Sequence, residues 1–366
     1  MKNKFISLAL AALMLFAAAC GGQTQPSGQS TDAQNTSAAE NASQTQAPET
    51  TEETASVTEE ETTTAAFEST EETELVRAEL RIGGLKGPTT IGLAAMMNNA
   101  DLPYTYEVAA AADEILPKLL QGELDIALVP ANAAAALWNR SGGKVTVIDI
   151  NTLGVLYGVT GDETITSVKD LAGKTVLTTG QGNTPEYALR YLLKENGVED
   201  CTLEFFSEAT EVAARLAEDP TAIAVLPQPF VTVAEAQNEA LHTAFSLTEE
   251  WDALGNGSRM LTGVTIARTA LVQENPLAIE AFLADHAASV ESVLTDVDAA
   301  AAKVVELGIV PKEPIAKKAI PECNIVCITG DEMKEALSGY LQVLFDAAPE
   351  AVGGALPDET FYYIPY

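Results

Sequence analysis

From about residue 78 the chain alternates between short apolar runs and amphipathic stretches, with turn residues between them. Ala78-Glu79-Leu80-Arg81-Ile82-Gly83-Gly84-Leu85 alternates with the period of a strand and breaks at a glycine pair. Lys86-Gly87-Pro88-Thr89-Thr90 follows, then a helical run over 91–99. Residues 104–108 predict a second strand. Asp113 is the expected cap of a helix over 114–121 that stops at Gly122. The unbroken apolar run 124–129 reads as a buried strand, and Pro130-Ala131-Asn132 leads into a helix over 133–139 with Asn132 as its cap. Strands are expected over 145–150 and again in the apolar stretch 151–159.

A second series starts at residue 165, where a short helical phrase, a stop at Gly173 and a new apolar strand opening at Val176 succeed one another. One crossing between two lobes is therefore placed at residues 160–166. The strand enters Thr179-Gly180-Gln181-Gly182-Asn183-Thr184-Pro185, with Thr184 as the expected cap and Pro185 at the first helical position. A strand over 202–206, a helix over 208–218 and a strand over 222–226 follow. Pro227-Gln228-Pro229-Phe230 then opens a helix over 231–238. The apolar strand 261–267 marks the return to the first lobe, and the remainder is mostly helical (277–295, 297–307, 312–319, 331–345). These helices are expected to pack on the first lobe, and the aromatic end 361–366 is expected to pack on a surface.

Four loops share one grammar: an apolar strand, small or hydroxyl residues, then a helix start. A helix start leaves backbone amides without partners at the positive end of the dipole. Such loops bind an anion or a polar edge without a charged side chain. The candidate ligand contacts are Gly84, Leu85, Lys86, Gly87, Thr89 and Thr90 in the first loop, with Pro130 and Asn132 in the second. The third offers Thr179, Gln181, Gly182, Asn183 and Thr184, and the fourth Gln228, Pro229 and Phe230. Lys86 suits an anionic group or a solvated surface, and Phe230 suits stacking on a ring or core packing.

The N-terminal end has a different pattern. Lys2 and Lys4 precede an apolar core of signal-peptide length, too short for a comfortable membrane span. Ala17-Ala18-Ala19-Cys20 resembles the lipobox of bacterial lipoproteins, which implies a diacylated Cys20. An ordinary cleaved signal is the alternative. Residues 21–74 hold twelve acids, no Lys or Arg and little to bury, which predicts a disordered tether. The 366-residue chain carries 53 acids, 20 bases and a net charge of −33, so nucleic acid is a poor partner. Cys201, Cys323 and Cys327 are odd in number and do not read as a disulfide framework, although a Cys323–Cys327 bridge is open. Two histidines, His242 and His286, both on stretches read as helical, do not suggest a zinc site, and no metal or cofactor is expected.

Gly122-Glu123-Leu124-Asp125-Ile126-Ala127, Ser167-Val168-Lys169-Asp170-Leu171-Ala172-Gly173-Lys174-Thr175-Val176 and Leu226-Pro227-Gln228-Pro229-Phe230, in this order, resemble ABC-transporter substrate-binding proteins. The similar branch takes thiamine-pyrimidine precursors, sulfonates, taurine and nitrate. The resemblance implies an α/β, two-lobe type II periplasmic-binding fold. It places a signal peptide over 1–20, the tether over 21–74, one lobe over 75–162 with 262–366, and the other over 163–261. It implies a monomer anchored outside the cytoplasmic membrane by a lipid on Cys20, which hands a small solute to an ABC permease. The four loops above match the family's ligand loops. The Arg that strict anion binders use has only Arg259 as a candidate. An enzyme on the same fold, acting on a pyrimidine or menaquinone precursor, and a ligand-free signalling or interaction module remain alternatives.

Overall fold

The computed structural model describes residues 75–365; the signal peptide, Cys20 and the tether lie outside them. The first series runs β1 (Leu80–Leu85), α1 (Pro88–Ile91), α2 (Ala94–Asn98), β2 (Tyr104–Ala109), α3 (Ala112–Gln121), β3 (Ile126–Pro130), α4 (Ala131–Ser141) and β4 (Val145–Leu153). The second runs β5 (Leu156–Thr160), β6 (Thr175–Thr179), α5 (Thr184–Glu195), β7 (Thr202–Phe206), α6 (Ala209–Glu218), β8 (Ile223–Pro227), α7 (Phe230–Gln237), β9 (His242–Ser246) and α8 (Leu247–Ala253). The chain returns through β10 (Leu261–Arg268) to α9 (Thr269–Glu274), α10 (Pro276–Thr295), α11 (Val297–Glu306), α12 (Glu313–Ala319), β11 (Ile325–Ile328) and α13 (Gly330–Ala347).

These strands make two sheets, ordered β11-β4-β10-β3-β1-β2 and β7-β6-β8-β5-β9. In the first, β1 is parallel to β2 and β3, while β10 runs antiparallel between β3 and β4. In the second, β6 is parallel to β7 and β8, while β5 runs antiparallel between β8 and β9. Each sheet thus has an interior strand that adjoins a crossing and runs antiparallel to both neighbours, which is the two-lobe type II periplasmic-binding architecture. Ile126–Val129 of β3 is buried throughout, as expected of a strand covered on both faces.

The first crossing lies earlier than the sequence pattern places it. Leu156–Thr160 pairs with β8 and β9, so the chain leaves the first sheet at Gly154-Val155 and not at residues 160–166. The apolar run 151–159 therefore contains the end of β4 and most of β5, two strands of different sheets. Hydrophobicity alone does not reveal a change of partner inside a continuous apolar run.

Arg81 at the start of β1 and Arg268 at the end of β10 both hold Asp125, just before β3, at 2.8 and 2.7 Å. Burial opposes ionisation of Asp125, but these guanidinium bonds overcome it and hold the carboxyl at about 2, below its usual 3.8. Three strand ends are fastened in this way at the edge away from the helix-starting loops of the first sheet.

The tail helices do not stay on the first lobe. Ala300, Ala301 and Val304 of α11 and Ala316 of α12 share a core with Val212, Leu216 and Val231 of the second series. α13 packs on both α4 and α5, and its Tyr340 ring lies 5.5 Å from Trp251 of α8. The aromatic end is anchored as expected. Phe361 is fully buried edge-on to Trp138, and the Tyr363 amide donates to the Val147 carbonyl. Cys201, Cys323 and Cys327 are free thiols; burial pushes the Cys323 and Cys327 thiols far up. His242 sits in strand β9, not on a helix.

Candidate functional site

A cavity of about 280 Å³ is lined by both series, at the ends where parallel strands deliver the chain into helices. Ligands of open α/β sheets gather at such strand ends. β1 contributes Leu85 and the loop Lys86–Thr89, β3 contributes Pro130, and β6 with the start of α5 contributes Thr179, Gly180, Asn183, Thr184 and Pro185. Phe230 at the start of α7 both lines the cavity and belongs to the core beneath, so stacking and packing are not alternatives here. Gly180 has φ 72°, and an added Cβ would meet Pro185 at 2.9 Å; only glycine lets this loop turn so close to the start of α5.

Nine predicted contacts line the cavity: Leu85, Lys86, Gly87, Thr89, Pro130, Thr179, Asn183, Thr184 and Phe230. The other seven do not. Gly84 and Thr90 are buried against each other, with Gly84 leaving room for the Thr90 hydroxyl. Asn132 is not the cap of α4, which is Pro130, and it faces protein. Its amide donates to the carbonyls of Gly182 (3.3 Å) and Ala351 (3.1 Å), and its oxygen accepts from Thr184 (3.2 Å). It thus ties the two series together directly. Gln181 is exposed, and the Gly182 amide donates to Glu186. Gln228 accepts from the amide and hydroxyl of Thr232 inside α7, and Pro229, which follows a cis bond, is the N-cap of that helix. Asn183, not Thr184, caps α5, and Ala111, not Asp113, caps α3, where the Glu114 carboxylate reaches back to two amides. Arg259 lies outside the cavity, beside Glu332.

Sequence reasoning missed a second set. Ala110–Ala112 follows β2 and Ser207–Thr210 follows β7, and both line the cavity with Pro227, Leu156 and Thr262. The signal was available: each segment stands at the C-terminal end of a parallel strand, where the topology rule places ligand contacts. Their loops lack glycine and proline, so the helix-start grammar passed over them.

The chemistry of the lining is specific. Thr89 is 5% exposed and Thr262 9%, and neither hydroxyl has a hydrogen-bond partner. A buried unpaired hydroxyl costs about 1–3 kcal/mol, a deficit that a bound polar group offsets. Lys86 and Glu208 are the charged residues of the lining, and no His or Cys is among the lining residues. Leu85, Pro88, Leu156, Pro227 and Phe230 add apolar walls, and Thr179, Asn183, Thr184, Ser207 and Thr210 add further polar side chains.

A separate polar cluster lies in the core of the first sheet. Asp149, His286 and Cys327 place ligand-type atoms within 4.8 Å of one another. His286 Nδ1 and Asp149 Oδ2 are 3.0 Å apart, and the other Asp149 oxygen accepts from Thr265. Both His286 and Asp149 are fully buried, so this group fastens β4, β10 and α10 and does not join the cavity.

A cavity between two α/β lobes, with polar groups awaiting a partner, defines a solute-binding class of protein. The chain belongs to the family described as ABC transporter, phosphonate, periplasmic substrate-binding protein, whose model matches residues 93–307. It is thus a substrate-binding component of an ABC transporter, acting outside the cytoplasm and capturing its ligand between two lobes. Among solved structures, an ABC transporter protein from Parabacteroides distasonis is similar at 25% identity and a TM-score of 0.66, covering 78% of this chain and 98% of its own. The periplasmic aliphatic sulphonate binding protein SsuA from Escherichia coli shares the fold at 14% identity and a TM-score of 0.63, covering 79% and 93%. The alkanesulfonate-binding protein SsuA from Xanthomonas axonopodis, bound to MOPS, shares it at 12% identity and a TM-score of 0.58, covering 77% and 96%. A comparison with curated proteins finds no match. Among the described residues no helix is long and apolar enough to cross a membrane.

Proposed function

We propose that this protein captures a small organic solute with a polar or anionic head and an apolar body, without converting it, and delivers it to a membrane permease. The carrying observation is the cavity itself, where buried unpartnered hydroxyls of Thr89 and Thr262 share the lining with the polar side chains of Lys86, Thr179, Asn183 and Thr184 and with apolar walls from Leu85, Pro227 and Phe230. The contacts we assign are Lys86, Gly87, Thr89, Thr179, Asn183, Thr184, Phe230 and Thr262. The solute bridges the lobes and stabilises the closed arrangement through contacts that exist only when both lobes meet. The strand pairing supports lobes of residues 75–153 with 261–365 and residues 156–254, the tail helices straddling both. A monomer held at the membrane by a lipid on Cys20 completes the reading.

Thermal denaturation and calorimetry of Thr262→Val test the site. Removing an unpaired buried hydroxyl is expected to leave the ligand-free protein as stable or slightly more so, and to weaken solute binding about five- to tenfold. A variant that loses stability and keeps full affinity would place the solute elsewhere.

A further inference from the structure

We infer that Asp149, His286 and Cys327 form a cation site in the core of the first lobe, one that takes a borderline-soft divalent ion of the zinc class. The site is separate from the solute cavity and does not rest on the capture reading. No spacing motif joins the three residues in sequence. The fold collects them from β4, α10 and β11, and one ligand-type atom of each lies within 4.8 Å of the other two. A carboxylate, an imidazole and a thiol suit zinc, whereas magnesium and calcium prefer oxygen alone. Bonds of about 2.0–2.3 Å in a tetrahedral shell put neighbouring ligand atoms about 3.3–3.8 Å apart, so small side-chain rotations close this one around an ion.

Charge is the second observation. Asp149 and His286 are fully buried, and among the described residues His286 is the one ion-pair partner of Asp149. A carboxylate buried without a fixed cation is costly. A divalent ion held by the Asp149 carboxylate, the Cys327 thiolate and a neutral imidazole brings the cluster to zero net charge. On binding, the Cys327 thiol proton leaves to solvent, and the His286 ring carries its proton on Nε2 so that Nδ1 ligates. No described group bonds to Nε2, so nothing on that side fixes the ring against this change. The Cys327 thiol has no better partner than the Leu283 carbonyl at 3.9 Å.

The strand that brings Cys327 is built for access. β11 is an edge strand, and its pairing with β4 is irregular between Ile325 and Ile328, the stretch that holds Cys327. Irregularities of this kind re-aim a side chain. Cys327 is partly exposed there, which gives an ion a way in from the sheet edge. A bound ion clamps β11 to β4 beside the first crossing, where the Asn324 amide already donates to the Gly154 carbonyl at 2.6 Å.

Cobalt(II) titration of the chelator-treated full chain tests this. The expected result is one cobalt per chain, with thiolate-to-cobalt charge-transfer absorption in the near ultraviolet and the intense visible bands of a four-coordinate ion. Surface carboxylates bind cobalt without a charge-transfer band, so that band reports the thiolate. Zinc should displace the cobalt and raise the melting temperature. Cys327→Ser is expected to abolish the charge-transfer band and weaken zinc binding at least about tenfold, since losses of that size follow even from changes around a metal's ligands. Cys201→Ser, in the other lobe, should leave both unchanged. Wild-type protein without the band, or a band and a zinc stabilisation that survive Cys327→Ser, overturns the site.

Discussion

At the scale of single residues, the types that form the site were legible and their partners were not. Thr89 and Lys86 were found because a strand, a glycine and a helix start surround them, and both line the cavity. Asn132 and Gln228 satisfied the same grammar, yet one joins Gly182, Thr184 and Ala351 and the other holds Thr232. An amide can serve a ligand or the protein, and the pattern of neighbours in sequence does not distinguish the two. Asp125 shows a residue effect of a different kind. Its carboxyl, held at about 2 by Arg81 and Arg268, is depressed from 3.8, so the stability it supplies is complete above about pH 3.8 and is lost as pH falls toward 2. Asp125→Asn is expected to destabilise the fold by about 2 kcal/mol at neutral pH, because two guanidinium groups lose a charged partner. In urea titrations the gap between wild type and variant should shrink from pH 4 to pH 2. A gap that stays constant over that range would mean that the ion pairs are not its source.

At the scale of elements, strands and helices were largely readable because their periods differ, and the errors fall where one element changes partner. Residues 151–159 read as one apolar segment and hold the end of β4 and most of β5, on two sheets. What fixes β5 on the second sheet is packing across strands. Gly158 lies against the Phe245 ring of β9, and a Cβ there would come within 2.2 Å of it. Gly158→Ala is therefore expected to cost about 2–3 kcal/mol through overpacking, measured by chemical denaturation. Phe245→Leu in the same chain should recover part of that loss. If Gly158→Ala alone is neutral, the ring does not hold the strand in this register. The tail helices were expected on one lobe and reach both, because the small residues of α11 and α12 offer an apolar surface of no fixed address. Amphipathicity states that a face is buried; it does not name the surface that buries it.

At the scale of the whole molecule, two α/β series, a return strand and a helical tail were enough to imply two lobes and a cleft, and the fold follows that plan. The exact lining was less legible, since Ala110–Ala112 and Ser207–Thr210 are brought to the cavity by sheet order and carry no motif of their own. The proposed anchor also belongs to this scale. Cys20→Ala is expected to release the protein from the membrane fraction and to abolish incorporation of labelled palmitate, with ligand affinity unchanged; retention in the membrane would contradict a lipid on Cys20. The central claim, capture without conversion, is tested most directly by calorimetric titration of the solute-free full chain with small alkyl phosphonates and sulfonates, followed by NMR of the recovered solute. The account predicts saturation at one solute per chain, stabilisation by about 2.7 kcal/mol at a hundred times the dissociation constant, and a solute recovered unchanged. A product appearing with time, or saturable binding indifferent to both Thr262→Val and Lys86→Ala, would contradict it.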